Sequence, residues 1–360
     1  MTAIHTRPPA LTIRAGRRAL QRLKDKPLDP EDVHVVPGAA GGPKALGLSG
    51  LDKAIFGDWL PRVPQERSLI GSSIGSWRFA AVASSDDPKA QLAKLAELYT
   101  SQRFAKGVSA AEVSRKSVLF LETLLAGCED YILNHPWYRL NVVVVRSLGM
   151  LEHDTRGRLS LGLMNAISAN MVSRRHLGRF MERGILHDAR LKAPVSKLID
   201  FPSHEVALTR DNLLPALLAS ASIPMVMSGV RNIPGAPEGV YRDGGLLDYH
   251  LDLPYEQPGV ILYPHFTDKV VPGWFDKTLP WRRGDATRLQ DVVLVAPSKE
   301  YLDTLPDRKL PDRKDFEHYV NDDQGRERAW RRAIAESDRL GDEFMELTET
   351  GKLTEVLRPL

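Results

Sequence analysis

The sequence predicts an α/β fold with a mainly parallel central sheet that helices flank on both faces. Short apolar segments rich in β-branched residues alternate with segments of helical periodicity, and glycines or prolines mark the turns between them. Residues 142–145 are four consecutive valines, as expected of a strand that is buried on both faces. The hydrophobic fraction of 42% and the charged fraction of 26% are ordinary for a globular protein, so global disorder is excluded.

The predicted elements alternate along the chain. The strand candidates are residues 33–36, 68–70, 141–145, 206–208, 260–263 and 292–295. The helix candidates are residues 76–83, 89–98, 109–125 and 161–180. Because parallel strands need long crossover connections, a helix between successive strands favours a parallel sheet.

Composition divides the chain into three regions. Residues 1–30 form a basic leader, which we interpret as a solvated tail. Alternatively, Ile13, Leu20 and Leu23 could share one face of a helix that lies on an anionic membrane. Residues 31–300 carry the α/β pattern, and residues 301–360 are predicted to form a charged, largely helical, exposed extension.

Charge and cysteine content exclude several classes of protein. The net charge of +3 is too small to indicate nucleic-acid binding by itself. The single cysteine excludes an intramolecular disulfide and a cysteine-based zinc site, and it suits a reducing cytoplasm. No apolar run is long enough for a membrane-spanning helix, and the N-terminus lacks the apolar region of a secretory signal. We therefore expect a cytoplasmic protein that contacts membranes peripherally, if it contacts them at all.

A serine motif follows the second predicted strand. Residues 71–75 read Gly-Ser-Ser-Ile-Gly, which is the pattern G-x-S-x-G with Ser73 at its centre. In this motif a sharp turn from strand to helix exposes the serine hydroxyl, and the helix N-terminus favours a developing oxyanion. Gly71 and Gly75 let the backbone pack closely at the turn. Ser73 is therefore a candidate nucleophile, although a tight turn without chemistry fits the same pattern.

Two glycine-rich segments accompany this motif. Residues 38–47 follow the first predicted strand and can direct several backbone N–H groups at one anionic atom. In residues 241–245, Gly244 and Gly245 leave the Asp243 carboxylate without bulky neighbours. An aspartate close to a serine can act as its base or can orient another base. Taken alone, each segment is better explained as a plain turn.

The three motifs together, in the order glycine loop, G-x-S-x-G and D-G-G, resemble the patatin-like phospholipase family. Residues 219–224, Ala-Ser-Ala-Ser-Ile-Pro, are similar to the A-S-x-x-[IFV]-P segment that precedes the aspartate in that family. The resemblance covers about residues 31–300 and implies a three-layer hydrolase domain whose substrate is a lipid or another acyl ester. It also implies a dyad in which Ser73 attacks the ester carbonyl and Asp243 activates it without a histidine.

The glycine loop departs from the family pattern of three glycines, any residue, arginine or lysine, and glycine. Ala40 replaces the first of these glycines and Ala45 the last, whereas Lys44 keeps the positive charge. The resemblance implies that backbone N–H groups of Gly41, Gly42 and Lys44 hold the oxyanion, because the intervening proline has no N–H to donate. The two alanines alter the loop that shapes this oxyanion hole.

Two alternatives to the dyad remain. An α/β-hydrolase has the order serine, acid, histidine, which His265 fits better than His250 because His250 follows Asp243 too closely. A protein that kept the fold but lost activity through its altered glycine loop would bind lipid without hydrolysing it. No histidine pair has the spacing of a metal site, so we expect hydrolysis that needs neither metal nor cofactor.

The helix predicted over residues 161–180 has an apolar face. This face carries Leu163, Met164, Ile167 and Met171. We expect it to pack in the core. A second interpretation makes it the wall of a pocket for an acyl chain.

Overall fold

The computed structural model describes residues 8–195 and 197–360, and in these residues eleven strands form one mixed sheet. The strands are β1 (Leu11–Ala15), β2 (Val33–Gly38), β3 (Arg67–Ser72), β4 (Tyr138–Ser147), β5 (Met181–His187), β6 (Ser203–Ala207), β7 (Val230–Arg231), β8 (Val240–Asp243), β9 (Val260–Pro264), β10 (Val292–Pro297) and β11 (Leu357–Pro359). Their order in the sheet is β11-β1-β10-β9-β2-β3-β4-β5-β6, with β8 paired to β4 and β7 to β8.

Helices surround this sheet. The α-helices of the described residues are α1 (Arg17–Asp25), α2 (Ser49–Lys53), α3 (Ile74–Val82), α4 (Pro88–Thr100), α5 (Ala110–Leu125), α6 (Glu129–Asn134), α7 (Arg156–Val172), α8 (Arg210–Ser220), α9 (Lys299–Leu302), α10 (Asp315–His318), α11 (Asp323–Glu336), α12 (Asp338–Glu349) and α13 (Leu353–Val356). The alternation of strands with helices around a mostly parallel sheet confirms the predicted α/β fold class.

The centre of the sheet is parallel, as predicted. Strands β10, β9, β2, β3 and β4 are parallel neighbours, whereas β1, β5 and β8 add antiparallel pairs. All six strand candidates are present, with boundaries that differ by a few residues. The valines of β4 are fully buried, which explains why their run is continuous rather than alternating. The sequence patterns miss β1, β5, β7, β8 and β11.

The described part of the basic leader is neither a solvated tail nor a helix on a membrane. Ile13 lies in β1, which pairs with β10 and β11 within the sheet. Leu23 is buried on α1, and Leu20 packs beside it against the main core, so the three residues do not share one helical face. Both interpretations fail because the partners of β1 lie far away in the sequence. Residues 1–7 of the leader lie outside the described residues.

The charge-rich C-terminal region packs against the body of the protein. Trp330 on α11 and Phe344 on α12 are buried, and the N–H of Gly50 in α2 donates to Ser337 Oγ over 2.8 Å. The chain then returns as β11 beside β1. The expectation of an exposed extension is therefore wrong for these helices, because charged residues on one face of each helix conceal a buried apolar face. The division of the chain into leader, hydrolase domain and extension stays a prediction.

Candidate active site

Ser73 and Asp243 are brought together by two strands, β3 and β8, which both pair with β4 and end at neighbouring residues of it. Strand β3 runs parallel to β4 and ends with Ser72 opposite Val143. Strand β8 runs antiparallel to β4 and ends with Asp243 opposite Val144. The carboxyl ends of β3 and β8 therefore meet at adjacent residues of β4, and the side chains at these two ends lie next to each other.

Ser73 occupies a strained turn between β3 and α3. Its φ of 55° and ψ of −128° lie outside the regions that a residue with a side chain prefers, at a cost of about 1–3 kcal/mol. Its N–H donates to Ser220 Oγ over 2.8 Å, and Ser220 Oγ donates to the Val143 carbonyl over 2.7 Å. Ser76 Oγ donates to the Ser73 carbonyl over 2.7 Å. These bonds hold the strained backbone in place.

The two glycines of the serine motif permit a close approach of backbones. A Cβ atom on Gly75 would lie 1.9 Å from the Gly38 carbonyl oxygen, and one on Gly71 would lie 2.4 Å from the Ser76 nitrogen. Both obstacles are backbone atoms, which cannot rotate away as a side chain can. Helix α3 therefore starts directly against β2 and β3, and this packing fixes the position of the serine between them.

The Asp243 carboxylate accepts two hydrogen bonds and is otherwise buried. Its Oδ2 accepts from Ser73 Oγ over 2.8 Å, and its Oδ1 accepts from the Gly245 N–H over 2.7 Å. Gly244, the glycine directly after Asp243, packs against the Val143 carbonyl. Burial raises the pKa of Asp243 to about 6, although its hydrogen bonds and the nearby Arg313 guanidinium act in the opposite direction. The carboxylate is thus ionised at neutral pH and lies within proton-transfer distance of Ser73.

Neither histidine of the alternative triad contacts this pair. In the described residues, the side chains of His250 and His265 form no hydrogen bond with Ser73 or Asp243. The Nδ1 of His265 accepts from the Thr267 N–H over 3.0 Å, and the two histidine rings pack with their centroids 4.3 Å apart. Burial lowers the pKa of His265 to about 3 and that of His250 well below its usual value. Both rings are therefore uncharged core residues at neutral pH.

The glycine loop lies at the edge of the same site. Gly41 precedes a 3-10 segment, Gly42–Leu48, and Gly42 has a φ of +58°. The N–H groups of Gly41 and Gly42 donate to no other group in the described residues, whereas the N–H of Ala40 donates to the Tyr249 carbonyl over 2.9 Å. Lys44 lies in the first turn of the segment, and its ammonium group extends over an aromatic ring. Two backbone donors are therefore available beside Ser73.

Two cavities open at Ser73. The larger has a volume of about 860 Å³ and a mostly apolar wall that includes Trp77, Tyr99, Phe104, Val113, Phe316 and Val320. The smaller has a volume of about 630 Å³ and a more polar wall that includes Gly41, Lys44, Asp243, Tyr249, Trp274 and Lys277. Ser73, Ile223, Val226 and Arg313 line both. An apolar cavity that meets a polar one at a nucleophile fits a substrate with an acyl chain and a polar group.

Sequence reasoning missed three residues of this site. Arg313 lies beside the glycine loop, where a Cβ atom on Gly42 would be 3.1 Å from its Nε. Lys277 also lines the smaller cavity. No local pattern marks these two cations, because folding alone brings them to the site. Ser220 lies in the segment that resembles A-S-x-x-[IFV]-P, so the sequence did contain a signal for it.

The apolar face of α7 is mostly exposed. Leu163 is half-buried and lines the smaller cavity. The exposed fractions of Met164, Ile167 and Met171 are 57%, 42% and 62%, so the expectation of core packing is wrong for these three. It fails because α7 is apolar on both faces, and its other face, which carries Leu159, Gly162, Ala166 and Asn170, packs inward. The chain also leaves the α-helix at residue 172, and residues 174–179 form a 3-10 segment.

The chain was compared with known proteins. The family model for the patatin-like phospholipases matches residues 62–250, slightly more than half of the chain, which includes Ser73 and Asp243 but not the glycine loop. A search of curated proteins finds no match. A search of solved structures finds human GIVD cytosolic phospholipase A2 with a TM-score of 0.37 and 12% sequence identity. That alignment covers 93% of this chain and 65% of the other, so the chain spans less than two thirds of that structure.

No helix in residues 8–195 and 197–360 has both the length and the apolar character that crossing a membrane requires. No group of three His, Cys, Asp or Glu side chains in the same residues is arranged to hold a metal ion.

Proposed function

Because this chain belongs to the patatin-like phospholipase family, we propose that it hydrolyses carboxylic esters of lipids with Ser73 as nucleophile and Asp243 as base. The observation that supports this proposal most directly is the 2.8 Å hydrogen bond from Ser73 Oγ to Asp243 Oδ2. A serine hydroxyl is a weak nucleophile unless a base lies within hydrogen-bond distance. No other side chain of the described residues offers Ser73 Oγ such a partner.

The proposed reaction proceeds through an acyl-enzyme. Ser73 Oγ forms a bond to the ester carbonyl carbon while its proton moves to Asp243, and the carbonyl electron pair moves to oxygen. The N–H groups of Gly41 and Gly42 and the N-terminus of α3 stabilise the resulting oxyanion. Its collapse breaks the ester C–O bond, and the departing alcohol takes the proton from Asp243. Water then releases the fatty acid by the same steps, with Asp243 again as base.

The pKa of Asp243 supports its role as base. An aspartate at its usual pKa holds protons too weakly to assist much at neutral pH, whereas a base is most effective when its pKa lies near the working pH. Burial brings the pKa of Asp243 to about 6. The carboxylate is still mainly ionised at pH 7, so it can accept the serine proton.

A second candidate function, suggested by the altered glycine loop, is that of a lipid-binding protein that does not hydrolyse its ligand. In the structure, Ala40 packs against the D-G-G turn, where a Cβ atom on Gly245 would lie 2.7 Å from the Ala40 Cβ. The methyl group of Ala40 therefore lies beside a glycine in the wall of the smaller cavity, which still has a volume of about 630 Å³ with this alanine in place. Ala45 is also buried, away from the cavity walls. These contacts favour the enzyme.

A fluorophosphonate probe followed by peptide mapping tests the nucleophile. We expect the label on Ser73 and its loss in the Ser73→Ala variant. Ser72→Ala is the matched control, since Ser72 is the neighbouring serine of the same motif, and this variant should still react. A label on another serine would contradict the assignment. So would the absence of a label under conditions in which a known serine hydrolase reacts.

We also propose a cytoplasmic protein that contacts membranes peripherally, through α7 rather than through the leader. The sequence of α7 contains no acidic residue, and exposed Met164 and Met171 lie on the helix that borders the smaller cavity. Trp274 at the rim of this cavity and Trp281 are exposed by 40% and 69%. Exposed apolar side chains next to a cavity for lipid are typical of surfaces that meet a bilayer.

Vesicle co-sedimentation tests this contact. The double variant Met164→Gln/Met171→Gln should bind anionic vesicles several-fold more weakly than the unmodified protein. Leu119→Gln on α5 is the matched control, because Leu119 is equally exposed at 62% but does not line either cavity. If the unmodified protein, the double variant and the Leu119→Gln control bind vesicles equally, α7 is not the membrane contact. Cell fractionation checks the cytoplasmic location separately.

A further inference from the structure

Three cationic side chains in the smaller cavity have no counter-ion. Lys44, Lys277 and Arg313 line this cavity beside the proposed dyad. Within residues 8–195 and 197–360, none of the three side chains forms a hydrogen bond or an ion pair. The Lys44 ammonium lies over the ring of Phe266 and the Lys277 ammonium over the ring of Tyr249, each 4.8 Å from the ring centroid. These aromatic contacts position the cations without neutralising them.

The two carboxylates of the same cavity already have partners. Asp312 pairs with Lys309 over 3.2 Å, and it accepts the backbone N–H of Lys314 over 2.8 Å. Asp243 accepts the hydroxyl of Ser73 over 2.8 Å. The cavity wall therefore carries an excess of positive charge, and Lys314 at its rim adds to it.

The three cations are close enough to repel one another. Burial lowers the pKa of Lys277, and the nearby Lys44 ammonium and Arg313 guanidinium lower it further. Burial also lowers the pKa of Lys44, and Lys309 and Arg313 add to this effect while Asp312 opposes it. Converging like charges in a partly desolvated cavity destabilise the protein, and an anion bound between them would remove that repulsion.

We propose that Lys44, Lys277 and Arg313 form a subsite for the phosphate of an acyl ester with a net negative headgroup, such as a diacylglycerol phosphate. This inference rests on the proposed hydrolysis at Ser73, and it names the substrate that this site prefers. Arg313 and Ser73 both line both cavities, so a phosphate bound by Arg313 occupies the same cavity space as an ester at Ser73.

A zwitterionic choline headgroup fits this subsite less well. A quaternary ammonium binds to the face of an aromatic ring or to a carboxylate. Of the two aromatic rings in the cavity wall, Tyr249 is already covered by the Lys277 ammonium and Trp274 is partly exposed at the rim, and the two carboxylates are engaged. All three cations lie outside residues 62–250, which the family model matches, so this preference belongs to the remainder of the chain.

Substrates dispersed as monomers test the headgroup preference without a membrane surface. We expect kcat/KM for a short-chain diacylglycerol phosphate to exceed that for the matching phosphocholine ester by about tenfold or more. In Lys277→Gln and in Arg313→Gln this ratio should fall about tenfold, mainly through a higher KM. Arg313→Lys should restore part of it. A ratio near one in the unmodified protein, or an unchanged ratio in both glutamine variants, would overturn the proposal.

The control variant is Lys269→Gln. Lys269 is an exposed lysine on the loop that leads toward Lys277, and it lines neither cavity. Its replacement removes the same charge from the protein and should leave the ratio unchanged. An equal fall of the ratio in Lys269→Gln would show that general charge, not this subsite, determines the preference.

Binding of a diether analogue of the diacylglycerol phosphate separates this proposal from the proposed hydrolysis. The analogue cannot be cleaved, so calorimetry reports the subsite even if the chain does not turn over. We expect binding that weakens about tenfold in Arg313→Gln. Titration with inorganic phosphate alone distinguishes a headgroup from the free ion: binding in the millimolar range supports headgroup recognition. Tighter binding of inorganic phosphate than of the analogue would assign the site to free phosphate and overturn the proposal.

Discussion

The hydroxyl group of Ser220 accepts a hydrogen bond from the backbone N–H of Ser73 over 2.8 Å and donates one to the Val143 carbonyl over 2.7 Å. Ser220 is the last residue of α8, whereas Val143 belongs to β4. A single buried hydroxyl therefore ties the strained turn to the helix and to the strand on which the dyad is built. The position of the Ser73 backbone depends on this link.

Replacement of Ser220 by alanine should weaken both stability and activity. The variant removes the acceptor of the buried Ser73 N–H and one donor to the Val143 carbonyl, which costs about 1–3 kcal/mol of unfolding free energy. A small displacement of Ser73 should also lower kcat by roughly tenfold. Chemical denaturation and turnover of a neutral short-chain ester measure the two effects. Ser222→Ala is the control, because in the described part of the chain Ser222 Oγ bonds only to the Leu218 carbonyl. Equal kcat values in the two variants would contradict the proposed role of Ser220.

Replacement of Asp243 by asparagine should remove nearly all turnover. An amide cannot accept the serine proton, and loss of a general base typically costs on the order of 10²–10⁴ in rate. His265→Ala and His250→Ala should keep the activity that their folded fraction allows, since neither ring contacts the dyad. Initial rates normalised to folded protein decide between the mechanisms. If His265→Ala folds normally but shows no turnover, the mechanism is a Ser-Asp-His triad and not a dyad.

The pH profile separates an aspartate base from a buried histidine base. Asp243 must be ionised to act, so kcat/KM for a neutral ester should fall as the pH drops through about 6, its raised pKa. A base with the lowered pKa of His265, about 3, would keep activity to much lower pH. Arg313→Gln removes a cation that lowers the pKa of Asp243, so the acidic limb should move to higher pH. If the acidic limb of the kcat/KM profile does not move in Arg313→Gln, Arg313 does not lower the pKa of Asp243.

The same carboxylate should destabilise the fold above its pKa. Burial raises the pKa of Asp243 from 3.8 to about 6, so the folded chain holds this proton more tightly than the unfolded chain. Stability from this group is therefore present below about pH 4 and is lost as the pH rises through 6, by up to about 3 kcal/mol. Asp243→Asn should accordingly raise Tm at pH 8 and change it little at pH 4. A Tm difference that does not depend on pH would refute this.

Gly75 should tolerate no side chain. The Cβ of Gly75→Ala would lie 1.9 Å from the Gly38 carbonyl oxygen, so a strand or helix must shift. We expect a loss of roughly 3 kcal/mol or more in unfolding free energy. Gly157→Ala on α7 is the matched control, because open space surrounds that position, and it should raise stability by up to about 1 kcal/mol. Similar denaturation midpoints for the two variants would show that the close approach is not required.

The sequence allowed prediction of the parallel centre of the fold and of the residues that meet at the candidate site. Ser73 and Asp243 stand in local patterns, since a sharp turn and an unencumbered carboxylate each require particular neighbours. Other parts depend on partners far away in the sequence. The strand that contains Ile13 becomes visible only beside β10, and Arg313 reaches the glycine loop only after the C-terminal region has packed. Exposure of Met164 could not be predicted either, because both faces of α7 are apolar.

Because β3 and β8 meet end to end along β4, their register on β4 determines the distance between the two residues of the dyad. The two members of the dyad are 170 positions apart in the sequence, yet their separation is set by which residues of β4 each strand faces. A slip of β8 by one residue would point the carboxylate to the opposite side of the sheet. Insertions into the loops between β4 and β8 that preserve the four residue pairs of β8 with β4 keep that register. Such loops are therefore where this chain can acquire new substrates during evolution without rebuilding its chemistry.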